Sequence, residues 1–386
     1  MGSMSSRERM LAVIRGEKPD YVPCSIYFNN ALRIEGYDLR MPEGRVRCQM
    51  DLGTEPIVDI PLPVQGMRAG VSAKTWVSMI EGERHPVLFK EYSTPAGEIR
   101  QGVYLTKDWP FGNDIPFPGN DHCASNNYEP LIKTSADIPV FEYLWEEPVE
   151  SCIEMGRKAV SGLLELSNRY SVLTRATVGQ GLAVAMFCMG AENMVLFSTD
   201  YPKAFAKIAE LEHRMTMKRI EIADYYGIDL LKKFGGYEQT NFFSPSVFKN
   251  IAAPLAKKEI IEAKRRKRAI YYRVVTGMKP LLGEIADIGF DCVEGFEPEL
   301  SDCSNNDIKV ALSKKSTVWT GVSSPVHLGA GNEEPARKAV RDAMETFEDE
   351  GFILGVTNSI RQHWPWANTL AMVDEWKKQA GQKPYC

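Results

Sequence analysis

Residues 269–322 decide the fold, and they read AIYYRVVTGMKPLLGEIADIGFDCVEGFEPELSDCSNNDIKVALSKKSTVWTGV. Three short apolar runs, at 269–275, 290–295 and 316–322, alternate with two stretches, at 279–287 and 305–313, that have the spacing of amphipathic helices. Strands that alternate with helices predict parallel strands joined by crossover helices. The stretch therefore indicates an α/β protein with a parallel sheet.

The same alternation extends in both directions along the chain. Further strands are predicted at 21–28, 55–60, 171–177, 228–234 and 352–356, and further helices at 148–168, at 202–226, from 244 onward, at 335–349 and at 367–379. Eight strands in this arrangement predict a closed (β/α)8 barrel, or TIM barrel. A doubly wound dinucleotide-binding fold is less consistent with the sequence, because no GxGxxG motif follows any strand.

We expect one domain over residues 1–386. Ser5 and Glu8 have the spacing of a capping box in front of an apolar run, which predicts an N-terminal helix over 5–16. Residues 61–150 have little periodicity and many Pro, Gly and aromatic residues, so we expect an irregular insertion with a few short strands near the barrel mouth. Insertions of this length are more often functional than idle.

The composition is that of a globular protein. The sequence has 46 Lys plus Arg and 51 Asp plus Glu, a formal charge of −5, so no overall basic field favours nucleic acid or an anionic membrane surface. The 8 Cys are scattered without a CxxC pair, and no signal peptide or membrane-spanning run is evident. These features predict a cytoplasmic protein with reduced thiols; they leave its oligomeric state open.

In such a barrel the active site lies where the strands run into their carboxyl-terminal loops. Gly235 and Gly236 permit a tight turn after one strand and could place Glu238 over the barrel mouth. By this rule the candidate catalytic residues are Glu238, Glu294, His327 and His363, and the candidate substrate-binding residues are Tyr27, Asn29, Tyr237, Arg273, Asn358, Arg361 and Trp364.

Most of these candidates also have a structural interpretation. Glu238 could cap a helix, and Arg273 could pair with Glu294 or Glu238, because an unpaired buried charge is costly. Glu297 is expected to be solvated, and His213, in the middle of a helix, is expected at the surface.

Four segments together resemble the uroporphyrinogen decarboxylase superfamily, which includes corrinoid-dependent methyltransferases. They are RERMLAVIRGEKPDYVP (7–23), GGYEQTNFFSPSVFKNIAAPLAKKEI (235–260), PLLGEIADIGFDCVEGFEPE (280–299) and GFILGVTNSIR (351–361). The resemblance implies a (β/α)8 barrel, in agreement with the strand count made from the sequence pattern.

The chain departs from two branches of that superfamily. The segment SIYFNNALRIEGYDLR (25–40) lacks the motif with which uroporphyrinogen decarboxylases grip their acidic tetrapyrrole. Where zinc-dependent methyltransferases carry His-x-Cys, this chain has Val274 and Thr276, and Asn358 and Ser359 lie near the position of a later Cys. The resemblance therefore implies neither porphyrin decarboxylation nor a thiol-activating zinc site, and it leaves open whether another metal is bound.

What the resemblance does imply is a methyltransferase I of the O-demethylating kind. Such an enzyme transfers a methyl group from a small, here aromatic, methyl ether to the Co(I) of cobalamin on a separate corrinoid protein. The aromatic residues of the predicted loops are the evidence for an aryl substrate. Two alternatives stay open: a decarboxylase whose Arg273 and Arg361 hold a small carboxylic acid, and a non-catalytic barrel that binds a corrinoid protein or a small ligand.

Overall fold

The computed structural model describes residues 4–347 and 351–381. Its strands are β1 (Cys24–Ser25), β2 (Ile57–Asp59), β3 (Ser72–Ser78), β4 (Val87–Thr94), β5 (Gly97–Tyr104), β6 (Asn127–Glu129), β7 (Leu173–Gly179), β8 (Leu230–Phe234), β9 (Ala269–Arg273), β10 (Cys292–Glu294), β11 (Thr317–Val322) and β12 (Phe352–Val356). Its α-helices are α1 (Ser6–Ile14), α2 (Pro42–Leu52), α3 (Asp121–Ser125), α4 (Ile138–Phe141), α5 (Glu150–Ala159), α6 (Ser161–Tyr170), α7 (Ala183–Met189), α8 (Ala191–Asp200), α9 (Pro202–Tyr226), α10 (Pro245–Val247), α11 (Ala253–Arg265), α12 (Leu282–Ile288), α13 (Asn305–Leu312), α14 (Glu333–Phe347) and α15 (Trp366–Gln379).

Eight parallel strands form the barrel, in the order β1, β12, β11, β10, β9, β8, β7, β2. The two ends of this order meet at a seam, where the Glu55 N–H donates to the Cys24 carbonyl at 2.7 Å and the Ser25 hydroxyl donates to the Glu55 carbonyl at 2.7 Å. The barrel is therefore nearly closed. Each predicted barrel strand overlaps an observed one, so the predicted (β/α)8 fold is confirmed.

Helix α1 closes the amino-terminal end of the barrel. It begins with the predicted capping box, in which the Ser5 side chain accepts from the Glu8 N–H. Its buried side chains Met10, Val13 and Ile14 pack in one apolar cluster with the first inward-facing residues of the strands, among them Leu230 and Tyr271. Access to the lumen is therefore from the opposite end, at the carboxyl ends of the strands.

The insertion between β2 and β7 is more regular than its sequence predicts. Strands β3 to β6 form a four-stranded antiparallel sheet, and three of them are seven or eight residues long. Its core lies between Leu88, Val103, Trp109, Ile115 and Cys123. The sequence predicts a few short strands here, and the observed strands are longer and form one sheet. Pro- and Gly-rich loops, such as 105–120, interrupt the alternating pattern of these strands.

Two helical regions also differ from the prediction. The single helix expected over 148–168 is two helices, α5 and α6, and the apolar stretch after β7 forms α7 and α8, which the sequence pattern did not predict. All seven residues of α7 are buried. No helix in the described ranges combines the length and apolar character needed to cross a bilayer.

Candidate active site

The inward face of the barrel changes from apolar to charged along the strands. On β8, Leu230 belongs to the apolar cluster above α1, and Lys232, two residues later, lines a cavity at the mouth. The same alternation brings Arg175 of β7 and Glu294 of β10 to the cavity level, because every second side chain of a strand faces the same side. The charged residues therefore lie at the end of the barrel where active sites of this fold are found.

The first charged pair joins neighbouring strands β2 and β7. Arg175 makes two hydrogen bonds to the Asp59 carboxylate, Nε to Oδ1 at 2.7 Å and Nη2 to Oδ2 at 2.9 Å, and its Nη1 donates to the Tyr271 hydroxyl at 3.2 Å. Burial alone would raise the pKa of Asp59, but the Arg175 guanidinium lowers it. Both groups of this pair are therefore charged at neutral pH.

The second pair joins β9 and β10. Arg273 Nη1 lies 2.5 Å from Glu294 Oε1, and Arg273 Nη2 donates to the Thr357 carbonyl at 2.9 Å. The other oxygen of this carboxylate, Oε2, is buried and accepts no hydrogen bond from the described residues. The structure thus places the predicted residues Arg273 and Glu294 together in the lumen, with one carboxylate oxygen available to a ligand.

Lys232 lies between the two pairs and joins neither. No carboxylate of residues 4–347 or 351–381 lies within ion-pair distance of its ammonium. Burial, followed by the nearby guanidinium groups of Arg175 and Arg273, lowers the pKa of Lys232 to about 8, whereas Glu294 and Asp59 act in the opposite direction. The lumen therefore holds a lysine that can lose its proton near physiological pH.

Two adjoining cavities surround the Arg175–Asp59 pair. The outer cavity, of about 300 Å³, is lined by Tyr27, Asp59, Ile60, Pro61, Leu62, Arg175, Thr177 and Lys232. The inner cavity, of about 40 Å³, reaches Glu294 and Trp319. The predicted residue Tyr27 is 47% exposed and lines both. The lining of the outer cavity thus combines apolar side chains with fixed charges.

Glu238 does not lie over the mouth, and that prediction is wrong. Its side chain is 2% exposed, and it accepts hydrogen bonds from the Leu182 N–H at 2.8 Å and from the Tyr272 hydroxyl. Burial raises the pKa of Glu238. The two glycines before it turn the chain outward, so that Glu238 packs between the barrel wall and the helices.

Glu238 belongs to a buried polar cluster, here called the rear cluster, which also contains His213, Lys233 and Glu259. Lys233 Nζ lies 2.7 Å from Glu259 Oε2, and His213 Nδ1 lies 2.8 Å from Glu259 Oε1. His213 is therefore not the surface residue that its place in a helix suggested. Burial would raise the pKa of Glu259 and lower that of Lys233, but their ion pair reverses both shifts.

His327 lies in a separate cleft of about 540 Å³ whose lining includes Glu299, Lys338 and Asp342. Its Nδ1 accepts the Ser323 N–H at 3.1 Å, its Nε2 lies 3.6 Å from Glu299, and burial lowers the pKa of the imidazole. The structure does not bring His327 to the lumen cavities.

Glu297 is buried, contrary to the prediction that it is solvated. It accepts a hydrogen bond from the Thr357 hydroxyl, and burial raises its pKa. Since the Thr357 carbonyl also receives Arg273, Glu297 supports the loop that holds one of the lumen cations.

The remaining predicted residues lie on the loops around the mouth, and their contacts are with the loops themselves. Asn29 accepts a hydrogen bond from the Ala31 N–H, and Asn358 accepts one from the Ser359 N–H. The Tyr237 hydroxyl donates to the Asp121 carboxylate. Arg361 and His363 are exposed, and the half-buried Trp364 has its ring centroid 6.0 Å from that of His363. None of these six side chains lines either lumen cavity. Their predicted roles in binding or catalysis are not supported by their positions.

Asp59, Arg175 and Lys232 are the charged lumen residues that lie outside the predicted site. Lys232 interrupts the apolar strand IDLLKKF (228–234) as Arg273 interrupts AIYYRVV, and Asp59 follows the apolar run of β2. A charged residue within a predicted barrel strand is the signal that could have identified these lumen residues. No group of three or more His, Cys, Asp or Glu side chains that could hold a metal ion occurs within the part of the chain that the structure describes.

Comparisons with known proteins agree with this architecture. A methyltransferase from Methanosarcina mazei superposes with a TM-score of 0.58 at 17% sequence identity, over 97% of this chain and 99% of that chain. A B12-independent methionine synthase from Shewanella sp. W3-18-1 gives a TM-score of 0.45 at 8% identity, over 94% of each chain, which is too low to support a conclusion. No curated protein matches the sequence significantly.

The family model named uroporphyrinogen decarboxylase (URO-D) matches residues 130–379, well over half of the chain. The matched region includes six of the eight barrel strands, with Arg175, Lys232, Arg273 and Glu294 among them. The protein therefore belongs to the uroporphyrinogen decarboxylase (URO-D) family.

Proposed function

We propose that the protein transfers a methyl group from a small aromatic methyl ether to the Co(I) corrinoid of a partner protein. The observation that carries this proposal is the cavity of about 300 Å³ at the carboxyl ends of the barrel strands. Ligand pockets span roughly 300–1,000 Å³, so this one suits a single substituted ring. Its volume also argues against a tetrapyrrole as the substrate.

The two sides of the cavity suit the two parts of an aryl methyl ether. Tyr27, Pro61 and Leu62 offer an apolar wall for the ring. Arg175 and Lys232 lie on the polar side, where the ether oxygen would develop negative charge as its bond to the methyl carbon breaks. Fixed cations at such a position stabilise the charge that appears in the transition state.

The corrin ring itself does not fit the lumen, and within the described ranges no His lines either cavity to serve as a ligand to cobalt. The partner protein would therefore present its corrinoid from above the mouth, on the side where Tyr27 is exposed. The reduced corrinoid supplies the nucleophile for the methyl carbon. The barrel positions the donor and stabilises the leaving oxygen.

The fold agrees with this reaction. The Methanosarcina mazei protein that shares the architecture over nearly both full lengths is described as a methyltransferase. At 17% identity this likeness shows the fold alone, and the support for the reaction is the cavity and its charges.

A decarboxylase of a small carboxylic acid is the second candidate. The specific observation in its favour is the charge of the lumen, where three cations, Arg175, Lys232 and Arg273, face two carboxylates, Asp59 and Glu294. One carboxylate of a substrate would neutralise this excess. The two candidates differ in their product, because only the decarboxylase releases CO2.

An anaerobic assay tests both candidates. The protein is mixed with a Co(I) corrinoid, free or on a carrier protein, and with a panel of methoxybenzenes or small carboxylic acids, and the visible spectrum and CO2 are followed. We expect the spectrum of the methylated corrinoid with at least one ether. Release of CO2 without methylation would favour the decarboxylase, and neither product across the panel would refute both.

A pair of variants tests the location of the site. L62W places an indole in the cavity, and V64W places the same group two residues away at a position that is 75% exposed. We expect L62W to lower kcat/KM for the ether at least tenfold, roughly 1.4 kcal/mol of transition-state binding, and V64W to leave it unchanged. Equal losses in both variants, or none in either, would place the site elsewhere.

A further inference from the structure

Lys232 differs from the other charged residues of the lumen because no carboxylate of the described residues forms an ion pair with it, although the Phe234 ring centroid lies 5.9 Å from its Nζ. The Asp59 carboxylate makes two hydrogen bonds to Arg175, and the Glu294 carboxylate binds Arg273. On the adjacent strands, the residues in register with Lys232 are Tyr271 of β9 and Thr177 of β7, and neither carries a charge. Its ammonium therefore faces the cavity without a counter-ion among the described residues.

An uncompensated cation in a half-buried site is costly, so its presence calls for an explanation. A chain that needed only stability at this position would carry an apolar residue, as it does two residues earlier at Leu230. The position of Lys232 on the polar wall of the cavity offers a role for the charge and for its proton.

We propose that Lys232 is the proton donor to the leaving oxygen of the substrate. This inference rests on the proposed function. In the step, the bond between the ether oxygen and the methyl carbon would break and leave its electron pair on the oxygen, while the reduced corrinoid of the partner protein would supply the electron pair for the new bond to the methyl carbon. The oxygen takes a proton from Lys232 Nζ and leaves as a phenol, and solvent reprotonates the amine.

Lys232 suits this step better than the other lumen cations. The guanidinium groups of Arg175 and Arg273 hold their protons at any usable pH, so they can stabilise charge but cannot transfer a proton. The Tyr271 hydroxyl accepts a hydrogen bond from Arg175, and burial raises its pKa well above the ordinary value. A general acid works best when its pKa lies near the operating pH. Burial, followed by Arg175 and Arg273, lowers the pKa of Lys232 to about 8, although Glu294 and Asp59 act in the opposite direction.

A binding experiment tests the placement without requiring turnover. The probe is 4-cyanophenol, a product analogue whose phenol and phenolate forms have different ultraviolet spectra. In the wild-type protein we expect the bound probe to ionise at lower pH than the free probe, because the Lys232 ammonium favours phenolate, and we expect K232M to reduce this shift to what the remaining Arg175 guanidinium supplies. Absence of probe binding to the wild type, or the same shift in K232M, would overturn the proposal.

Kinetics with ethers of different leaving groups test the proton transfer. We expect K232M to slow methyl transfer from methoxybenzene by roughly 10²–10⁴-fold, the range for loss of a general acid. The loss should be much smaller with 4-methoxybenzonitrile, whose phenolate needs a proton less. In the wild type kcat should fall above pH 8 as Lys232 loses its proton. K232R should be slow at every pH and show no such fall, because arginine keeps its charge but cannot give up its proton.

A matched control is K258M on α11, where the lysine is exposed and makes no ion pair with the described residues. This variant should match the wild type in probe binding and kinetics. If K232M slowed methyl transfer equally with both ethers, or raised KM at unchanged kcat, Lys232 would only position or bind the substrate. Either result would overturn the proposal. Failure of the wild type to methylate any corrinoid would instead refute the proposed function, while the probe experiment would still decide where Lys232 acts.

Discussion

Two adjacent lysines on β8 lie in opposite environments. Lys232 faces the lumen, has no counter-ion among the described residues, and has its pKa lowered to about 8 by burial and by two guanidinium groups. Lys233 faces the rear cluster, lies 2.7 Å from Glu259, and has its pKa raised by Glu259 and Glu238 although burial alone would lower it. Lys233 is buried and Lys232 is half-buried, but only Lys233 has a charge partner among the described residues.

The difference shows how to separate function from structure among buried charges. In the rear cluster Glu259 contacts both Lys233 and His213, and Glu238 accepts two hydrogen bonds, so these contacts hold the barrel wall to α9 and α11. In the lumen the charges are positioned by ion pairs but are not balanced, and a cavity adjoins them. Titratable groups with shifted pKa values in a cleft indicate a functional site only when neighbouring side chains do not already balance their charges.

The largest effect is expected from breaking the rear cluster. K233M leaves the buried Glu259 carboxylate without its lysine, and loss of one partner of a buried pair costs about 3–5 kcal/mol. We expect this loss in the free energy of unfolding, measured with urea, and no loss with K258M. If K233M unfolded at the wild-type urea concentration, the rear cluster would not be structural and the contrast with Lys232 would fail.

In contrast to K233M, the variant K232M is expected to stabilise the protein. A folded-state pKa lowered from 10.5 to about 8 means that protonation of Lys232 opposes folding, by up to about 3 kcal/mol below pH 8. K232M removes this cost and keeps the length of the side chain. Its free energy of unfolding at about pH 7 should therefore exceed that of the wild type.

The pH dependence gives this prediction its sign. The unfolded chain binds a proton at Lys232 up to a higher pH than the folded chain does, so the wild type gains stability as pH rises from 8 towards 10.5. The advantage of K232M should shrink over that interval. A K232M variant that is less stable than the wild type at about pH 7 would show that Lys232 is needed for folding.

The fold could be predicted from the sequence because each barrel strand is an apolar run preceded by a loop or helix signal. The site could be predicted only in part. Arg273 and Glu294 could be predicted because they lie within or at the end of buried strands, and the cost of an unpaired buried charge predicts the ion pair between them. Glu238 was misplaced because its position depends on how the loop after Gly235–Gly236 turns, and sequence spacing does not determine that turn.

His327 shows a second limit of sequence reasoning. It follows β11, so the rule that active sites lie at the strand ends includes it, but a π-helical turn over Ser324–Leu328 directs it to the cleft with Glu299. The rule identifies the correct end of the barrel and does not say whether a loop side chain turns towards the lumen. That depends on long-range packing, such as the hydrogen bond between the Ser324 hydroxyl and the Asn358 carbonyl.

The smallest effect is expected at Glu238, and it decides whether this residue belongs with Lys233 or with Lys232. E238Q keeps an oxygen that accepts the Leu182 N–H and removes the carboxylate, whose pKa burial already raises. Because a net hydrogen bond contributes about 1 kcal/mol, we expect E238Q to lose no more than this in the free energy of unfolding and to keep the wild-type kcat for methyl transfer. A large fall in kcat at unchanged stability would mean that Glu238 exchanges a proton during the reaction. The rear cluster would then be part of the active site. The presence or absence of a charge partner would no longer separate the role of Lys233 from that of Lys232.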